Sequence, residues 1–361
     1  MPAVDRSREE KLPPFPDDVP TAPLVTISLS KLLHGDEDDE HAQLFQAAKS
    51  LGFFYLDMRG CPVGESILRQ ADAMFDLAED FFALPEEEKR KYDFAAQGKY
   101  FGYKGMGKEV IDGEGTRDRN EIYNISKDDI LSISEPLPAP ELINNRRSDL
   151  STYIHTNYTI LDVLFTSLSR SLRLEPSTLS NLHRLHAPSG CHVRFIRAPP
   201  STKPVSEETA ALGEHTDFGS LTILFNRLGG LQVQLPQSQD WVYVRPVPGC
   251  AIVNLGDAMV KFSAGILRSN LHRVVTPPGE QAKHTRYSLV YFSRPEHEVV
   301  MKRLPGGLID EQGVTSPDGE TEEKTRDWML RRHLGRKIEY FTGPESWQNA
   351  MGTEKRDVVV Q

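Results

Sequence analysis

Residues 215–225 have the sequence HTDFGSLTILF, in which a short turn leads into a run of apolar residues. The run Leu221–Phe225 predicts a β-strand that belongs to a buried core. In an extended segment, residues i and i+2 point to the same side, so His215 and Asp217 can offer a nitrogen and an oxygen to one ion. The stretch therefore predicts a metal site at the mouth of a core built from strands.

A second pair with the same spacing, His34 and Asp36, lies in the acidic run HGDEDDEH and is expected to be solvated. Two such pairs are about what chance provides in a chain with 52 acidic residues and 11 histidines. The surrounding sequence, and not the pair alone, therefore favours His215 and Asp217 as metal ligands.

His272 is the best candidate for a third ligand, because it opens the short apolar segment that ends at Val275. Two histidines and one carboxylate on one face of an octahedron leave three positions open, an arrangement suited to non-haem Fe(II) and O₂ chemistry. Zinc hydrolases also use two histidines and a carboxylate, so the ligand types alone leave that alternative open.

Arg286 and Ser288 again stand two residues apart, directly before the apolar run Leu289–Phe292. A guanidinium and a hydroxyl on one face of a strand form a fork that binds a carboxylate. Such a fork would have no role in a zinc hydrolase, and it indicates an acidic ligand near the metal.

Several short apolar segments separated by Gly, Pro and polar turns fill the region around these motifs. They span residues 191–196, 221–225, 230–235, 241–244, 250–254, 271–275 and 287–292. Such a series predicts an all-β barrel or a double-sheet jelly roll.

Apolar periodicity predicts helices over residues 40–52, 63–83 and 147–174 ahead of this core, and a charged helix over 322–336 behind it. The Gly-rich stretch 99–125 has no clear assignment. We therefore expect a mainly β fold with α elements, arranged as a single composite unit. Its segments are an extended arm at 1–22, a mixed helical N-terminal region at 23–185, a jelly-roll core at 186–300 and a C-terminal extension with a helix at 301–361.

The ordered motifs HTDFGSLTILF, GGLQVQLP, WVYVRPVPG, NLGD, KFSAGILRSNLHRVV and RYSLVYF resemble those of the isopenicillin N synthase-like Fe(II)/2-oxoglutarate-dependent dioxygenases. The similarity covers about residues 188–300, and the motif LGFFY at 51–55 with the long helix after it is similar to the helical N-terminal region of that family. The resemblance implies a double-stranded β-helix core, which is a form of the jelly roll.

The resemblance also implies roles for the motif residues. Iron would be held by His215, Asp217 and His272, and the C5 carboxylate of 2-oxoglutarate by Arg286 and Ser288. The implied reaction is hydroxylation, desaturation or cyclisation of a small organic molecule by O₂, with release of succinate and CO₂. Family habit favours specialised metabolism.

Two alternatives remain at this point. Isopenicillin N synthase and the ethylene-forming oxidases keep the Arg-x-Ser motif without consuming 2-oxoglutarate, so a non-haem iron oxidase is possible. A non-catalytic protein that binds a small molecule on the same fold is the other.

The strand before the first ligand departs from the family. Many members carry a Tyr there that holds the cosubstrate or the substrate, whereas this chain has FIRAPP at 195–200. Arg197 is therefore a candidate for contact with the cosubstrate or the substrate. The candidates for the substrate pocket are apolar or aromatic side chains in or near the predicted core, namely Phe195, Leu224, Phe225, Phe262, Phe292 and Tyr103.

The composition narrows the choice of partners. The 361 residues carry 42 basic and 52 acidic side chains, a net charge of −10, and no basic run. This excludes nucleic acids and anionic membranes as expected partners and favours a small-molecule substrate. No obligate protein partner is evident. Three widely spaced cysteines and a charged, Pro-rich beginning of the sequence predict a cytoplasmic location.

Overall fold

The computed structural model describes residues 12–34, 38–201, 210–313, 323–334 and 342–343. The strands within these ranges are β1 Thr26–Ser28, β2 Phe53–Asp57, β3 Gly102–Lys104, β4 Glu121–Ser126, β5 His192–Ala198, β6 Leu212–His215, β7 Leu221–Asn226, β8 Leu231–Gln234, β9 Trp241–Tyr243, β10 Cys250–Leu255, β11 His272–Val274 and β12 Arg286–Ser293. The helices within them are α1 Leu29–His34, α2 Asp38–Ser50, α3 Pro62–Ala83, α4 Glu86–Arg90, α5 Lys127–Ile130, α6 Glu141–Asn144, α7 Arg147–Ser171, α8 Asp257–Phe262, α9 Gly307–Glu311 and α10 Thr325–Leu334.

The strands form two sheets. Eight of them lie in the order β1-β2-β10-β7-β12-β5-β4-β3, and the other four in the order β6-β11-β8-β9. Neighbouring strands are antiparallel except β1 and β2. Strands that follow one another in the chain are distributed between the two sheets, which is the connectivity of a double-stranded β-helix. The jelly-roll core that the sequence predicts is confirmed.

The eight-stranded sheet has two faces that we name by what they contact. Its inner face lies against the four-stranded sheet, where Phe53, Tyr55 and Ile252 pack with Leu231 and Val233. Residues that pair directly across neighbouring strands lie on the same face of the sheet. The pairing of β10 with β7, β7 with β12 and β12 with β5 therefore shows which residues of these strands lie on the inner face.

The outer face is covered by helices, chiefly α3 and α7. Along α3, Ile67, Ala71 and Phe75 form an apolar stripe that joins the same core as Phe195 and Leu289 of the sheet. The helix begins at Pro62, where the missing N–H is harmless, and it ends at Ala83, two residues before Pro85. Both faces of the sheet are therefore covered.

The N-terminal region supplies strands to the same sheet as the core. β4 pairs antiparallel with β5 from Glu121 opposite Arg197 to Ser126 opposite His192. The regions 23–185 and 186–300 thus share one continuous sheet. β3 and β4 lie in the Gly-rich stretch that the sequence left unassigned, where β3 has only three residues and neither strand shows an alternation of polar and apolar residues.

The other predicted elements are present with shifted ends. α3 and α7 confirm the two long helices. The apolar run from Leu24 to Leu29 contains only the three-residue β1, which is followed directly by α1. The described part of the arm runs along β9, where the Ala22 N–H donates to the Tyr243 carbonyl oxygen at 2.8 Å. Residues 1–11 of the arm and most of 314–361 lie outside the described residues. Among the helices that are described, none has the length and apolar character needed to cross a membrane.

Candidate active site

The three predicted metal ligands converge at one end of the barrel. His215 ends β6 and His272 begins β11, and the two lie opposite each other in the register of these strands. Oδ1 of Asp217 lies 3.9 Å from Nε2 of His215 and 3.8 Å from Nε2 of His272. All three residues are buried, and their ligand atoms lie within 4.8 Å of one another. The three ligand atoms thus face one point, where a single ion can be reached by all of them.

Hydrogen bonds orient the Asp217 carboxylate. Its Oδ2 accepts from the Thr222 hydroxyl at 2.6 Å and from the Asn254 amide at 2.7 Å, which leaves Oδ1 for an ion. Burial by itself raises the pKa of Asp217, but the neighbouring imidazoles His272 and His215 and these two hydrogen bonds outweigh burial and hold the pKa below its usual value. The side chain is therefore an anion at neutral pH.

Each histidine is held by a backbone carbonyl. Nδ1 of His215 donates to the Gly213 carbonyl oxygen at 2.8 Å, and Nδ1 of His272 donates to that of Asn270 at 3.1 Å. These bonds place the proton on Nδ1 and leave the Nε2 lone pairs facing Asp217. Two imidazole nitrogens and one carboxylate oxygen are a donor set that fits Fe(II).

The loop between the first two ligands is tied to the C-terminal helix. The Thr216 hydroxyl donates to Oδ2 of Asp257 at 3.0 Å, and Arg332 of α10 forms a buried ion pair with the same oxygen at 2.7 Å. The Asp257 N–H in turn donates to the Asp217 carbonyl oxygen at 2.7 Å. α10 thereby stabilises the position of the ligand loop.

Arg286 and Ser288 lie together on the inner face. Nη1 of Arg286 donates to the Ser288 hydroxyl, and Nε donates to the Gly229 carbonyl oxygen at 2.7 Å. Both side chains are buried, and burial lowers the pKa of Arg286 to about 10. In the described part of the chain no carboxylate pairs with this guanidinium. A buried cation without an anion is costly, which marks the fork as a place for an acidic ligand.

Arg197 does not lie on this face, contrary to the expectation from the sequence. It stands opposite Tyr287 in the register, on the outer face, and its Nη1 donates to Oε2 of Glu121 at 2.5 Å. Glu121 also pairs with Lys89 at 2.6 Å. Arg197 therefore belongs to an ion cluster under the helices, and it cannot replace the missing tyrosine at the fork.

Five of the six candidate pocket residues lie on strands and divide between the two faces of the sheet, whereas Phe262 ends helix α8. Leu224 and Phe292 lie on the inner face, because Leu224 stands opposite Ile252 and Phe292 stands opposite Thr222. The other four belong to the core under the helices, namely Phe195, Phe225, Phe262 and Tyr103. Their role in the substrate pocket stays a prediction. Apolar side chains lie on both faces of the sheet, so the apolar character of a residue does not by itself reveal its face.

One cavity of the described structure also lies away from the metal ligands. It has a volume of about 600 Å³ and is lined by Phe15 of the arm, Phe75 of α3, and Phe225 and Arg227 at the end of β7. None of the three candidate metal ligands or the Arg286 and Ser288 fork lines it.

Several site residues have no signal in the sequence. Thr222 and Asn254 are ordinary strand residues until the register of β7 and β10 brings them to Asp217. Arg194 lies on the inner face of β5, opposite Val290. Arg294, which follows β12, contacts Phe218 next to Asp217. Only knowledge of the strand pairing identifies them.

A double-stranded β-helix with two histidines and an aspartate at one end, and an arginine fork on its inner face, defines the class of non-haem Fe(II) oxygenases. Two family models match the chain, the non-haem dioxygenase in morphine synthesis N-terminal model over residues 24–144 and the 2OG-Fe(II) oxygenase superfamily model over residues 189–295. The chain belongs to the 2OG-Fe(II) oxygenase superfamily.

Known relatives agree with this assignment. The chain is 32% identical to a 2-oxoglutarate-dependent dioxygenase of Aspergillus fumigatus, covering 82% of this chain and 81% of the relative. It is 30% identical to the 2-oxoglutarate-dependent dioxygenase gloE of Glarea lozoyensis, over 79% and 84% of the two chains. The protein is thus a 2-oxoglutarate-dependent dioxygenase that uses Fe(II), 2-oxoglutarate and O₂.

Solved structures share the fold. A full-length protein of Neurospora crassa, crystallised in complex with alpha-KG, has a TM-score of 0.71 at 23% identity, covering 88% of this chain and 97% of that one. A putative 2OG-Fe(II) oxygenase family protein of Caulobacter crescentus has a TM-score of 0.70 at 25% identity, covering 87% and 99%.

Proposed function

We propose that His215, Asp217 and His272 are the Fe(II) ligands, and that Arg286 and Ser288 bind the C5 carboxylate of 2-oxoglutarate. The observation that carries the proposal is the convergence of two imidazole Nε2 atoms and one carboxylate oxygen at a buried point, with every other polar atom of these side chains already hydrogen-bonded. The fork on the inner face supports it, because its cation has no anion among the described residues.

The residues of the chain then have distinct tasks. Bound Fe(II) supplies the redox chemistry that couples O₂ to oxidative decarboxylation of 2-oxoglutarate and to oxidation of one C–H bond of the substrate. Thr222 and Asn254 hold the carboxylate of Asp217 in place. Arg286 and Ser288 set the direction of the cosubstrate, and apolar inner-face residues such as Leu224 and Phe292 exclude water. Positioning, and not acid–base chemistry, is the contribution of the protein.

The substrate in this proposal is a small organic molecule of specialised metabolism, oxidised by hydroxylation, desaturation or cyclisation. Fungal relatives named as 2-oxoglutarate-dependent dioxygenases support an oxidation that is coupled to 2-oxoglutarate. The free cysteines Cys61, Cys191 and Cys250 support a reducing, cytoplasmic location. The reaction needs no partner protein in this proposal.

The test is anaerobic addition of 2-oxoglutarate to the Fe(II)-loaded protein. We expect a visible metal-to-ligand charge-transfer band in the native protein, and loss of both iron retention and succinate formation in Asp217→Ala. The matched control is Asp36→Ala, in the other H-x-D pair of the sequence, which should leave both unchanged. Retained iron and turnover in Asp217→Ala would refute the ligand assignment. A native protein that holds iron but shows no band would instead be an oxidase independent of 2-oxoglutarate.

A further inference from the structure

Two arginines outside the proposed cosubstrate fork meet on the inner side of the barrel. Arg194 lies on β5 with its side chain on the inner face, and Arg294 follows the last residue of β12. Both donate to the hydroxyl of Tyr100, Arg294 through Nη2 at 3.0 Å and Arg194 through its own Nη2. One neutral oxygen thus stands between two guanidinium groups.

These two cations have no anion in the part of the chain that the structure describes. Nε of the half-buried Arg194 donates to the side-chain carbonyl oxygen of Asn124 at 2.7 Å, a neutral partner. Arg294 is 2% exposed, and its buried Nε has no hydrogen-bond acceptor among the described residues. By contrast, Arg197 of the same strand β5 is paired with Glu121. Two adjacent cations shielded from bulk water repel each other unless an anion joins them.

Aromatic rings surround the pair. The Arg194 guanidinium stacks 4.8 Å from the Phe292 ring centre, and that of Arg294 lies 4.4 Å from the ring centre of Phe218, the residue after Asp217. His192 stacks on Phe292 at 4.8 Å. Burial, together with Arg294 and Arg194, lowers the pKa of His192 well below its usual value, so this ring adds no charge. The surroundings suit an apolar body that bears one negative group.

The location connects the pair to the metal ligands. Phe292 stands opposite Thr222 in the register, and Thr222 donates to Asp217. A small cavity of about 50 Å³ is lined in part by Tyr100 and Asn124, the two neutral partners of the pair.

We propose that Arg194 and Arg294 bind a carboxylate of the substrate, so that the enzyme acts on an organic acid with an apolar or aromatic body. This inference rests on the proposed function, in which Arg286 and Ser288 hold 2-oxoglutarate and leave the second pair of arginines for the substrate. One carboxylate oxygen accepts from each guanidinium, and the body lies against Phe292 and Phe218 towards the metal.

The experiment uses the holoprotein with Fe(II) and saturating 2-oxoglutarate under anaerobic conditions. The probes are benzoate, phenylacetate and cinnamate, each paired with its uncharged amide, and inorganic phosphate, and binding is measured by calorimetry. We expect the acids to bind at least about tenfold more tightly than the amides. Arg194→Gln and Arg294→Gln should each reduce acid affinity by about tenfold or more, one charged hydrogen bond being worth about 1.5–3 kcal/mol.

The matched control is Arg197→Gln on the outer face of the same strand, which should leave acid affinity unchanged. Replacing the buried Arg294 by Gln can impair folding, so Arg294→Lys is measured as well. Lysine keeps the charge but not the forked guanidinium, and the loss of acid affinity should be smaller than in Arg294→Gln. Circular dichroism reports the fold of each variant. Equal binding of acids and amides, no binding of any acid, tighter binding of phosphate, or acid affinity insensitive to both arginines would each overturn the proposal.

A second readout separates this proposal from the proposed function. The charge-transfer band with 2-oxoglutarate should be the same in Arg194→Gln, Arg294→Gln and the native protein. If the band disappears in these variants, the pair belongs to the cosubstrate site and the substrate assignment fails. If the band is absent from the native protein, the proposed function itself fails, whatever the acids do.

Discussion

The inner and outer faces of the eight-stranded sheet are made by the same strands but carry different chemistry. On β12, Arg286 and Ser288 face inward, whereas Leu289 faces the helices. On β5, Arg194 faces inward and Phe195 outward. One step along a strand therefore separates a residue that serves the site from one that serves stability, and substitutions on the two faces should have separable effects.

The largest effect is expected on the outer face. Phe195 is fully buried in the core under the helices, so Phe195→Ala should lower the free energy of unfolding by about 3–5 kcal/mol through the cavity it leaves. Urea unfolding measures this loss, and Phe195→Leu should cost much less. Binding of 2-oxoglutarate at a temperature where the variant is folded should not change. Weakened binding without loss of stability would show that Phe195 faces the site.

On the helix side of the sheet, the buried His183 should make the free energy of unfolding depend on pH. His183 stacks on Phe165 of α7, donates from Nδ1 to the Leu179 carbonyl oxygen and accepts from Ser220. Burial lowers its pKa from 6.5 to about 4. As the pH falls, His183 is therefore protonated in the unfolded chain before it is protonated in the folded protein. The stabilisation that comes from the neutral, buried ring is complete above about pH 6.5 and declines as the pH falls towards 4.

The decline attributable to His183 amounts to about 3 kcal/mol over that interval. Chemical unfolding between about pH 7.5 and 4.5 measures it, and His183→Gln should flatten the profile. The same slope in the variant and the native protein would assign the effect to other groups.

On the inner face, Arg286→Lys should weaken 2-oxoglutarate binding by about a hundredfold, or about 2.7 kcal/mol. Lysine keeps a charge but loses the bonds to Ser288 and Gly229 that orient the fork. Titration of the charge-transfer band gives the affinity. Arg197→Lys makes the same change on the outer face and should have no effect. Equal effects of the two variants would contradict the division between the faces.

The smallest effect is expected from Thr222→Val, which removes one donor to Oδ2 of Asp217 while Asn254 still donates. Iron affinity should fall by about tenfold, which is the lower end of the roughly 10–100-fold losses seen when a residue that orients a metal ligand is replaced. Thr222→Ser keeps the hydroxyl and should retain the native affinity in a chelator competition assay. A loss of the same size in Thr222→Ser would point to packing and not to the hydrogen bond.

The contrast between faces also explains which predictions from the sequence succeeded. His215 and Asp217 could be placed together because two residues on one extended segment share a side whatever the strand pairs with. The same holds for Arg286 and Ser288. For Arg197, in contrast, the sequence alone does not tell which face of the sheet the side chain occupies. That depends on how β5 pairs with its neighbouring strands.

The aromatic candidates could not be assigned to a face of the sheet from the sequence for a related reason. Apolar side chains lie on both faces of strands such as β7, because helices cover one face of the sheet and a second sheet covers part of the other. Phe225 and Leu224 are adjacent and equally apolar, yet only Leu224 faces inward.

By itself, the sequence predicted the pairs His215/Asp217 and Arg286/Ser288 from local spacing within one segment. It predicted the jelly-roll class from a series of short apolar segments, and the third candidate ligand, His272, from its place at the start of one of them. Only the tertiary structure decided which face each strand residue occupies, because register depends on pairing between distant segments. It alone brought Arg194, Arg294 and Tyr100 together across separations of 94 and 194 residues. Contacts of that range leave no periodic trace in a sequence, and they are the ones that bear on the choice of substrate.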